Sequence, residues 1–218
     1  MTASHTPIDH LPSNAGIQVG PISKADLVQV VGVLSRGMRD NPLHIAAFGD
    51  EPTERERRLR QMFSLTSKRP GYLGTVSVAR QADGTIVGVC GAMPPGKCLP
   101  NPVERVLMLP LMLPLGVGNA RRVVRWMGTW ADHDPDTRHW HVGPLAVDAH
   151  LQGQGIGSML MQDFCRRMDA AGEQAYLETD KEANIRFYQK FGFEVIQKGP
   201  VLGVPHWYML RKPDPAAM

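Results

Sequence analysis

Residues 145–158 of the chain read Leu145-Ala146-Val147-Asp148-Ala149-His150-Leu151-Gln152-Gly153-Gln154-Gly155-Ile156-Gly157-Ser158. An apolar run passes through a short polar turn into three closely spaced glycines, which predicts a strand ending at Val147 and a helix beginning near Gly155. Glycine lets the backbone turn sharply and approach a ligand without an intervening Cβ. The unpaired N–H groups and the dipole of the helix start then favour phosphate oxygens.

The spacing of these glycines excludes two common nucleotide-binding classes. Gly153-x-Gly155-x-Gly157 is not the GxGxxG fingerprint of dinucleotide-binding domains. No lysine followed by serine or threonine comes after the last glycine, so the run is not a phosphate-binding P-loop. By itself the run is also compatible with a glycine-rich helix start that binds nothing.

The composition is that of one ordinary globular domain. The chain has 218 residues, 43% of them hydrophobic and 21% charged, and a formal net charge of +3. That charge is too small to indicate a nucleic-acid partner. The apolar stretch Val106–Val117 contains two prolines and is shorter than the roughly 20 residues of a membrane-spanning helix, so we expect no membrane association.

The cysteines and the N-terminus favour a cytoplasmic protein. Cys90, Cys98 and Cys165 are odd in number and widely spaced, which predicts neither a disulfide framework nor a zinc cluster. The first residues lack the basic and apolar segments of a signal peptide. Cys165 falls inside the predicted helix after the glycines and is interpreted as a packing residue.

Hydrophobic periodicity predicts one mixed α/β domain over residues 16–213, without a regular βαβα alternation. Residues 1–15 and 214–218 are predicted to be tails, and residues 94–139 a helical segment on the substrate side. The predicted helices are Ser23–Gly37, Thr53–Ser67, Val103–Leu113, Asn119–Asp134, Gly155–Ala171 and Lys181–Phe191. The predicted strands are Ile17–Pro21, Thr75–Arg80, Thr85–Met93, Trp140–Val147, Ala175–Thr179, Glu194–Lys198 and His206–Arg211.

The C-terminal half resembles a known family. Gln152-x-x-Gly155-x-Gly157 matches the Q/R-x-x-G-x-G/A signature of the GNAT acetyltransferase superfamily. The segments that resemble the family's second cofactor region are Leu177-Glu178-Thr179, Asn184, Phe187-Tyr188 and Phe191-Gly192-Phe193. Residues 206–213 are similar to the closing strand of its puromycin N-acetyltransferase-like branch. The resemblance is strong over residues 140–213, a matter of layout over 17–93 and weak over 94–139.

The resemblance implies a single GNAT-like domain whose mostly antiparallel central sheet is splayed at the acetyl-CoA site. Acetyl-CoA is then the cosubstrate, no metal is expected, and a homodimer is a possible assembly. The residues implied in cofactor binding are Leu145, Ala146 and Val147 beside the pantetheine arm, Gln152, Gly153, Gln154, Gly155, Ile156, Gly157 and Ser158 at the pyrophosphate, Asn184 near the pantetheine, and Tyr188 near the sulfur.

Some of these residues have simpler interpretations. Leu145 and Val147 are good core residues, Asn184 suits a helix cap and Tyr188 a packing aromatic. Pro144 removes an N–H from a strand that would otherwise be central, which supports a sheet that opens there.

Amine acetylation requires a proton acceptor for the amine and a proton donor for the departing thiolate. Tyr188 is the predicted acid. The candidate bases are Glu178, His141 and His133. Alternation along the strand predicts that His141 shares a face with Leu145 and Val147, and its ordinary pKa near 6.5 suits proton transfer at neutral pH. Structural roles are the alternatives: a surface or satisfied strand histidine for His141, a carboxylate bonded to the backbone for Glu178, and loop capping for His133.

The predicted function is therefore transfer of an acetyl group to a primary amine of a small molecule. A protein or peptide N-acetyltransferase is the main alternative, because only the apolar 94–134 region argues for a closed pocket. A catalytically weak CoA-binding regulatory module is the other. Specificity is expected in residues 40–135 and in a loop over 199–205.

Overall fold

The computed structural model describes residues 16–68, 71–98 and 112–214. The strands in these ranges form one seven-stranded sheet in the order β1-β2-β3-β4-β5-β7-β6, antiparallel except between β4 and β5. The strands are β1 Gln18–Pro21, β2 Val76–Arg80, β3 Ile86–Met93, β4 Trp140–Val147, β5 Ala175–Thr179, β6 Glu194–Val201 and β7 Val204–Arg211. The predicted mixed α/β domain with a mostly antiparallel sheet is confirmed.

Six helices of the described residues cover the two faces of this sheet. They are α1 Leu27–Gly37, α2 Pro42–Phe48, α3 Pro52–Thr66, α4 Val117–Ala131, α5 Ile156–Ala171 and α6 Glu182–Gln189. Helices α1 to α4 contribute to one apolar core, which includes Val30, Phe63 and Trp126. Helices α5 and α6 contribute to the other, and Phe164 is fully buried there. The sheet thus separates two cores, and side chains from both cores can contact a site within the sheet.

Two elements of secondary structure differ from the prediction. Helix α2 was missed, although Pro42 occupies its first turn, where a missing N–H costs nothing. The expected loop over 199–205 is wrong, because these residues complete the β6–β7 hairpin around a turn at 202–203. Pro200 lies on the edge strand β6, opposite Pro205 of β7. Pro205 lies beyond the end of β5, and a strand tolerates proline at such edge positions. Buried Val201 anchors this end of the hairpin.

Several predictions lie outside the described residues. They are the N-terminal tail over 1–15, nearly all of the helix predicted at 103–113, the apolar stretch up to residue 111, and the last residues of the C-terminal tail, 215–218. In the part of the chain that the structure describes, no helix has the length and apolarity needed to cross a membrane.

A β-bulge in β4 changes which side chains share a face. Leu145 lies opposite Cys90, whereas Val142 lies opposite Ala92, so β4 contains one extra residue between them, at Gly143-Pro144. An extra residue reverses the alternation of side chains. His141 therefore faces away from Leu145, and the prediction that they share a face is wrong.

The sheet opens immediately beyond this region. Strands β4 and β5 pair at two positions, Trp140 with Ala175 and His141 with Tyr176, and then diverge. The bulge at Gly143-Pro144 begins two residues after the last pair, and β4 has a free edge over its second half. This is the predicted splay.

Candidate active site

The free edge of β4 presents backbone groups to the opening. The N–H of Asp148 donates to the carbonyl of Val87 at 2.9 Å, which identifies these two as a hydrogen-bonded pair of the antiparallel ladder. Such pairs alternate with pairs whose N–H and C=O groups point outwards. Counting back along the register, Leu145 and Val147 point their backbone groups into the opening, as expected for pantetheine contacts.

Ala146 differs from its two neighbours. In the same register its backbone groups point toward Val89 of β3, and its methyl group is buried in the core beneath α1. The expectation that Ala146 contacts the cofactor is therefore not supported by the register of this strand.

The glycine-rich turn ends in an unsatisfied helix start. Gly155 is the N-cap of α5 with φ 84°, in the left-handed region that glycine favours. The first hydrogen bond within the helix runs from the N–H of Met159 to the carbonyl of Gly155, at 3.1 Å. The N–H groups of Ile156, Gly157 and Ser158 therefore have no partner within the helix, and a helix start of this kind favours an anion.

The turn is held against the end of β4 by side chains. Gln152 donates from Nε2 to the carbonyl of Val147 at 3.1 Å, so this side chain braces the turn rather than extending from it. Arg36 of α1 donates from Nε to Asp148 at 3.2 Å, just before the turn. Gly37 ends α1 so close to β4 that a Cβ there would lie 2.6 Å from the Val147 carbonyl.

Helix α6 covers the opening from the second core. Asn184 lies in its first turn and donates to Thr179 at the end of β5, at 3.0 Å. Tyr188 is buried beside Phe193, with ring centroids 6.0 Å apart. Burial raises the pKa of Tyr188. Its hydroxyl therefore stays protonated.

The face of the sheet opposite Tyr188 carries a buried ionic pair. His141 donates from Nε2 to Oε2 of Glu178 at 2.8 Å, and the Glu178 side chain is 2% exposed. Oε1 of Glu178 is buried and has no hydrogen-bond partner among the described residues. Burial alone lowers the pKa of His141, but the charge of Glu178 and the nearby Asp134 carboxylate and Cys98 thiol raise it well above its usual value.

Three further polar side chains surround His141. Asp134 follows α4, His139 immediately precedes β4, and Cys98 lies in the turn after β3. Burial lowers the pKa of His139, but the nearby Asp134 carboxylate and the contact with Cys98 raise it to about 10. Burial raises the pKa of Cys98, but bonds to the two histidines lower it to about 7. Sequence reasoning missed this cluster. Its available signal is the spacing His139-x-His141, which puts both side chains on one face of a strand.

Aromatic rings line the same face. Trp130 lies with its ring centroid 6.3 Å from those of His141 and His206. Its Nε1 is buried without a hydrogen-bond partner among the described residues, as is the hydroxyl of Tyr208. His133 stacks on Tyr208 at 4.2 Å and bonds through Nδ1 to the carbonyl of Thr129, which indicates a packing role for this third candidate base.

The fold is shared with known acetyltransferases. A Corynebacterium glutamicum protein named histone acetyltransferase HPA2 and related acetyltransferase superposes with a TM-score of 0.67, at 22% identity over 91% of this chain and 97% of that one. Arylalkylamine N-acetyltransferase 2 from Aedes aegypti gives 0.63, at 15% identity over 91% and 99% of the two chains. The Escherichia coli GNAT protein YhbS, solved in complex with CoA, gives 0.54, at 14% identity over 95% and 87%.

The sequence itself identifies the family. The model of the Acetyltransferase (GNAT) family matches residues 41–193, which include the glycine-rich turn, the opening beside β4 and helix α6. The free N–H groups and the open strand edge fit a CoA molecule in this position. The chain belongs to the GNAT family and is an acetyl-CoA-dependent N-acetyltransferase.

Proposed function

We propose that the protein transfers the acetyl group of acetyl-CoA directly to a primary amine of a small molecule. The observation that carries this proposal is the position of the opening beside β4. Glu178 lies on one face of the sheet and Tyr188 on the other, since the neighbours of Glu178 in β5, Leu177 and Thr179, point to the opposite side. A thioester held along β4 would have an acceptor on one side and a donor on the other.

The roles follow from this placement. Leu145 offers its backbone groups to the pantetheine arm, as does the N–H of Val147, whose carbonyl already accepts from Gln152. The N–H groups at the start of α5 bind the pyrophosphate. Glu178 accepts the proton that the amine must lose, directly or through water. Tyr188 donates a proton to the sulfur as the carbon–sulfur bond breaks. Holding both reactants in place lowers the activation free energy by several kcal/mol.

Glu178 is the better candidate base of the pair. His141 already donates to Glu178, and its other ring nitrogen faces the carboxylate of Asp134. Oε1 of Glu178 has no partner among the described residues and is free to accept. We therefore assign His141 the task of positioning Glu178.

The surroundings of Glu178 favour a small cationic amine. An ammonium group is attracted both to a carboxylate and to the face of a tryptophan ring such as that of Trp130. Buried groups without partners among the described residues, Trp130 Nε1 among them, indicate polar contacts that a substrate would complete. The Aedes neighbour acts on arylalkylamines according to its name, and the closing strand 206–213 suggests the puromycin-acetylase-like branch. A peptide would need an open groove instead.

A panel of amines tests this proposal. Acetyl-CoA is supplied with polyamines, arylalkylamines, aminonucleosides and aminoglycosides, and with peptides bearing a free N-terminus, and release of the CoA thiol is followed. We expect turnover with a small amine and little with peptides. Preferential turnover of peptides would overturn the small-molecule assignment.

Glu178→Gln tests the base. Glutamine still accepts from His141, so the pair keeps its geometry while the negative charge is lost. We expect single-turnover acetylation to slow by about 10²- to 10⁴-fold, the range for losing a general base. Glu194→Gln, on the exposed start of β6, is the matched control and should retain the parent rate. A full rate in Glu178→Gln would remove this residue from the mechanism.

A further inference from the structure

The side chains around His141 form a site of their own. Cys98, Asp134, His139 and His141 each offer one ligand atom, and these four atoms all lie within 4.8 Å of one another. The side chain of His139 is 4% exposed and that of Asp134 16%. They come from three separate parts of the chain that the fold brings together beside β4.

The spacing of the atoms matches a tetrahedral metal site. Oδ1 of Asp134 is 3.3 Å from Nε2 of His139 and 3.7 Å from Nδ1 of His141. Nε2 of His139 is 3.8 Å from the Cys98 sulfur. Zinc bonds of about 2.0 Å to nitrogen or oxygen and 2.3 Å to sulfur place tetrahedral ligands roughly 3.3 to 3.5 Å apart. These three separations exceed the tetrahedral values by less than about 0.5 Å, and the other pairs of ligand atoms lie within 4.8 Å of one another.

The outer hydrogen bonds fix which ring nitrogens face the centre. Nδ1 of His139 is 2.7 Å from the carbonyl of Thr137, which can only accept, so this nitrogen carries a proton. Nε2 of His141 likewise donates to the carboxylate of Glu178. When the rings are neutral, the inward nitrogens therefore present lone pairs. A carbonyl or carboxylate on the outer nitrogen is the arrangement that orients histidine ligands in metal sites.

When both rings are neutral, the centre of the cluster contains no positive group among the described residues. Nδ1 of His141 and Oδ1 of Asp134 are buried, and neither has a hydrogen-bond partner in that part of the chain. Both atoms are acceptors when the ring is neutral, and their separation of 3.7 Å leaves them facing each other. A cation between them would satisfy both atoms.

We propose that Cys98, Asp134, His139 and His141 bind a divalent zinc ion. Thiolate and imidazole ligands in tetrahedral geometry favour zinc over magnesium or calcium, which prefer oxygen ligands and higher coordination. Four protein ligands leave no open position, so the ion is structural. It fixes the turn after β3 to the start of β4 and holds His141 with its Nε2 proton toward Glu178. This proposal goes beyond the acetyl-transfer proposal.

Cobalt substitution tests the site without any measurement of acetyl transfer. The full-length chain is purified without chelators for metal analysis, then stripped and titrated with Co²⁺. We expect bound zinc after purification. On titration we expect one equivalent of cobalt, the visible bands of a tetrahedral centre and a sulfur-to-cobalt charge-transfer band. Zinc should displace the cobalt. Absence of the charge-transfer band in the parent protein would overturn the proposal, and the two histidines would then be protonated and paired with Asp134.

Variants locate the ion. Cys98→Ala should abolish the sulfur-to-cobalt band. Cys165→Ala should retain it, because this buried thiol lies in the core formed with α5 and α6. His139→Gln should weaken metal binding by at least about tenfold. Losing a residue that only hydrogen-bonds a metal ligand already costs that much, and losing the ligand itself costs no less. Circular dichroism confirms folding, and Cys98→Ser replaces Cys98→Ala if the latter is unstable. A sulfur band that survives in a folded Cys98 variant would contradict the assignment.

Discussion

At the residue scale, a glycine stands at each end of α5. Comparing the two distinguishes the need for a left-handed backbone from a role in cofactor binding. Gly155 at the start has φ 84° and Gly172 at the end has φ 64°. A side chain at either position costs roughly 1–2 kcal/mol of backbone strain. Only Gly155 lies beside the free N–H groups proposed to bind pyrophosphate.

Gly155→Val should therefore weaken acetyl-CoA binding, whereas Gly172→Val should not. We expect at least about a tenfold rise in the dissociation constant, because one lost hydrogen bond to a charged group costs about 1.5 kcal/mol or more. Isothermal titration calorimetry measures this, and circular dichroism checks folding. Equal affinities in two folded variants would contradict the pyrophosphate assignment.

Tyr188→Phe tests the proposed acid. The substitution keeps the ring that packs beside Phe193 and removes only the hydroxyl. Acetyl-CoA binding should change little, while the single-turnover rate should fall by about 10²- to 10⁴-fold. Single-turnover rates are the proper measure because release of CoA can limit steady-state turnover.

Tyr72→Phe is the matched control for this experiment. Tyr72 is a buried tyrosine of the other core, and burial raises its pKa to about 12. Its variant should keep the parent's chemical rate. If Tyr188→Phe also keeps it, the thiolate departs without a proton from Tyr188.

At the element scale, α5 is tied to β7 by a buried ion pair. Arg211 makes two hydrogen bonds of 2.7 Å to Asp169, and the two side chains are 8% and 10% exposed. The N–H of Asp214 also donates to Asp169, at 2.8 Å. Removing one partner leaves the other charge buried and uncompensated.

Asp169→Asn should thus lower the free energy of unfolding by about 3 kcal/mol at neutral pH. Asp163→Asn is the control, since its partners on the same helix, Arg166 and Arg167, are exposed and such pairs contribute roughly 0.2–1 kcal/mol.

Hydrogen bonds from Arg211 lower the pKa of Asp169 below its usual value. This stabilisation is present above that usual value and is lost as pH falls. Urea unfolding should show the parent and Asp169→Asn converging in acid, and a constant difference would contradict the assignment.

Elements defined by a local pattern were predicted well. The bounds of β4 and β5 match the prediction, because strand alternation and the flanking turn residues are both local. The bulge at Gly143-Pro144 was not predicted, since an extra residue is defined only against the partner strand β3. Without the bulge, alternation placed His141 on the wrong face.

The site divides in the same way. The glycine-rich turn is contiguous in sequence and was recognised from its spacing, although the roles of its residues are still proposals. The cluster of Cys98, Asp134, His139 and His141 joins three segments, and Cys98 is 36 residues from its nearest partner in the chain. Its two histidines became a candidate metal site only when the fold placed Asp134 and Cys98 beside them.

At the scale of the whole molecule, the opening divides the sheet. Strands β1 to β4 lie on one side and β5 to β7 on the other, joined within the sheet by the two residue pairs between β4 and β5. A ligand in the opening would contact β4 and α5 on one side and α6 on the other. Unfolding destroys this arrangement, so the ligand binds only the native state and stabilises it.

Acetyl-CoA should therefore raise the melting temperature of the whole chain. At a concentration one hundred times the dissociation constant, the stabilisation is about 2.7 kcal/mol. For a protein of this size, each kcal/mol shifts the midpoint by roughly 2–4 °C, so we expect a shift of about 5–10 °C.

CoA should act similarly, because the proposed contacts involve the pantetheine and pyrophosphate rather than the acetyl group. ATP and NAD have no pantetheine arm to lie along β4, so they should shift the midpoint far less. Gly155→Val should reduce the effect of acetyl-CoA while Gly172→Val preserves it, which ties the stabilisation to the start of α5. No shift at millimolar acetyl-CoA, or an equal shift with NAD, would show that the opening beside β4 does not hold the cosubstrate.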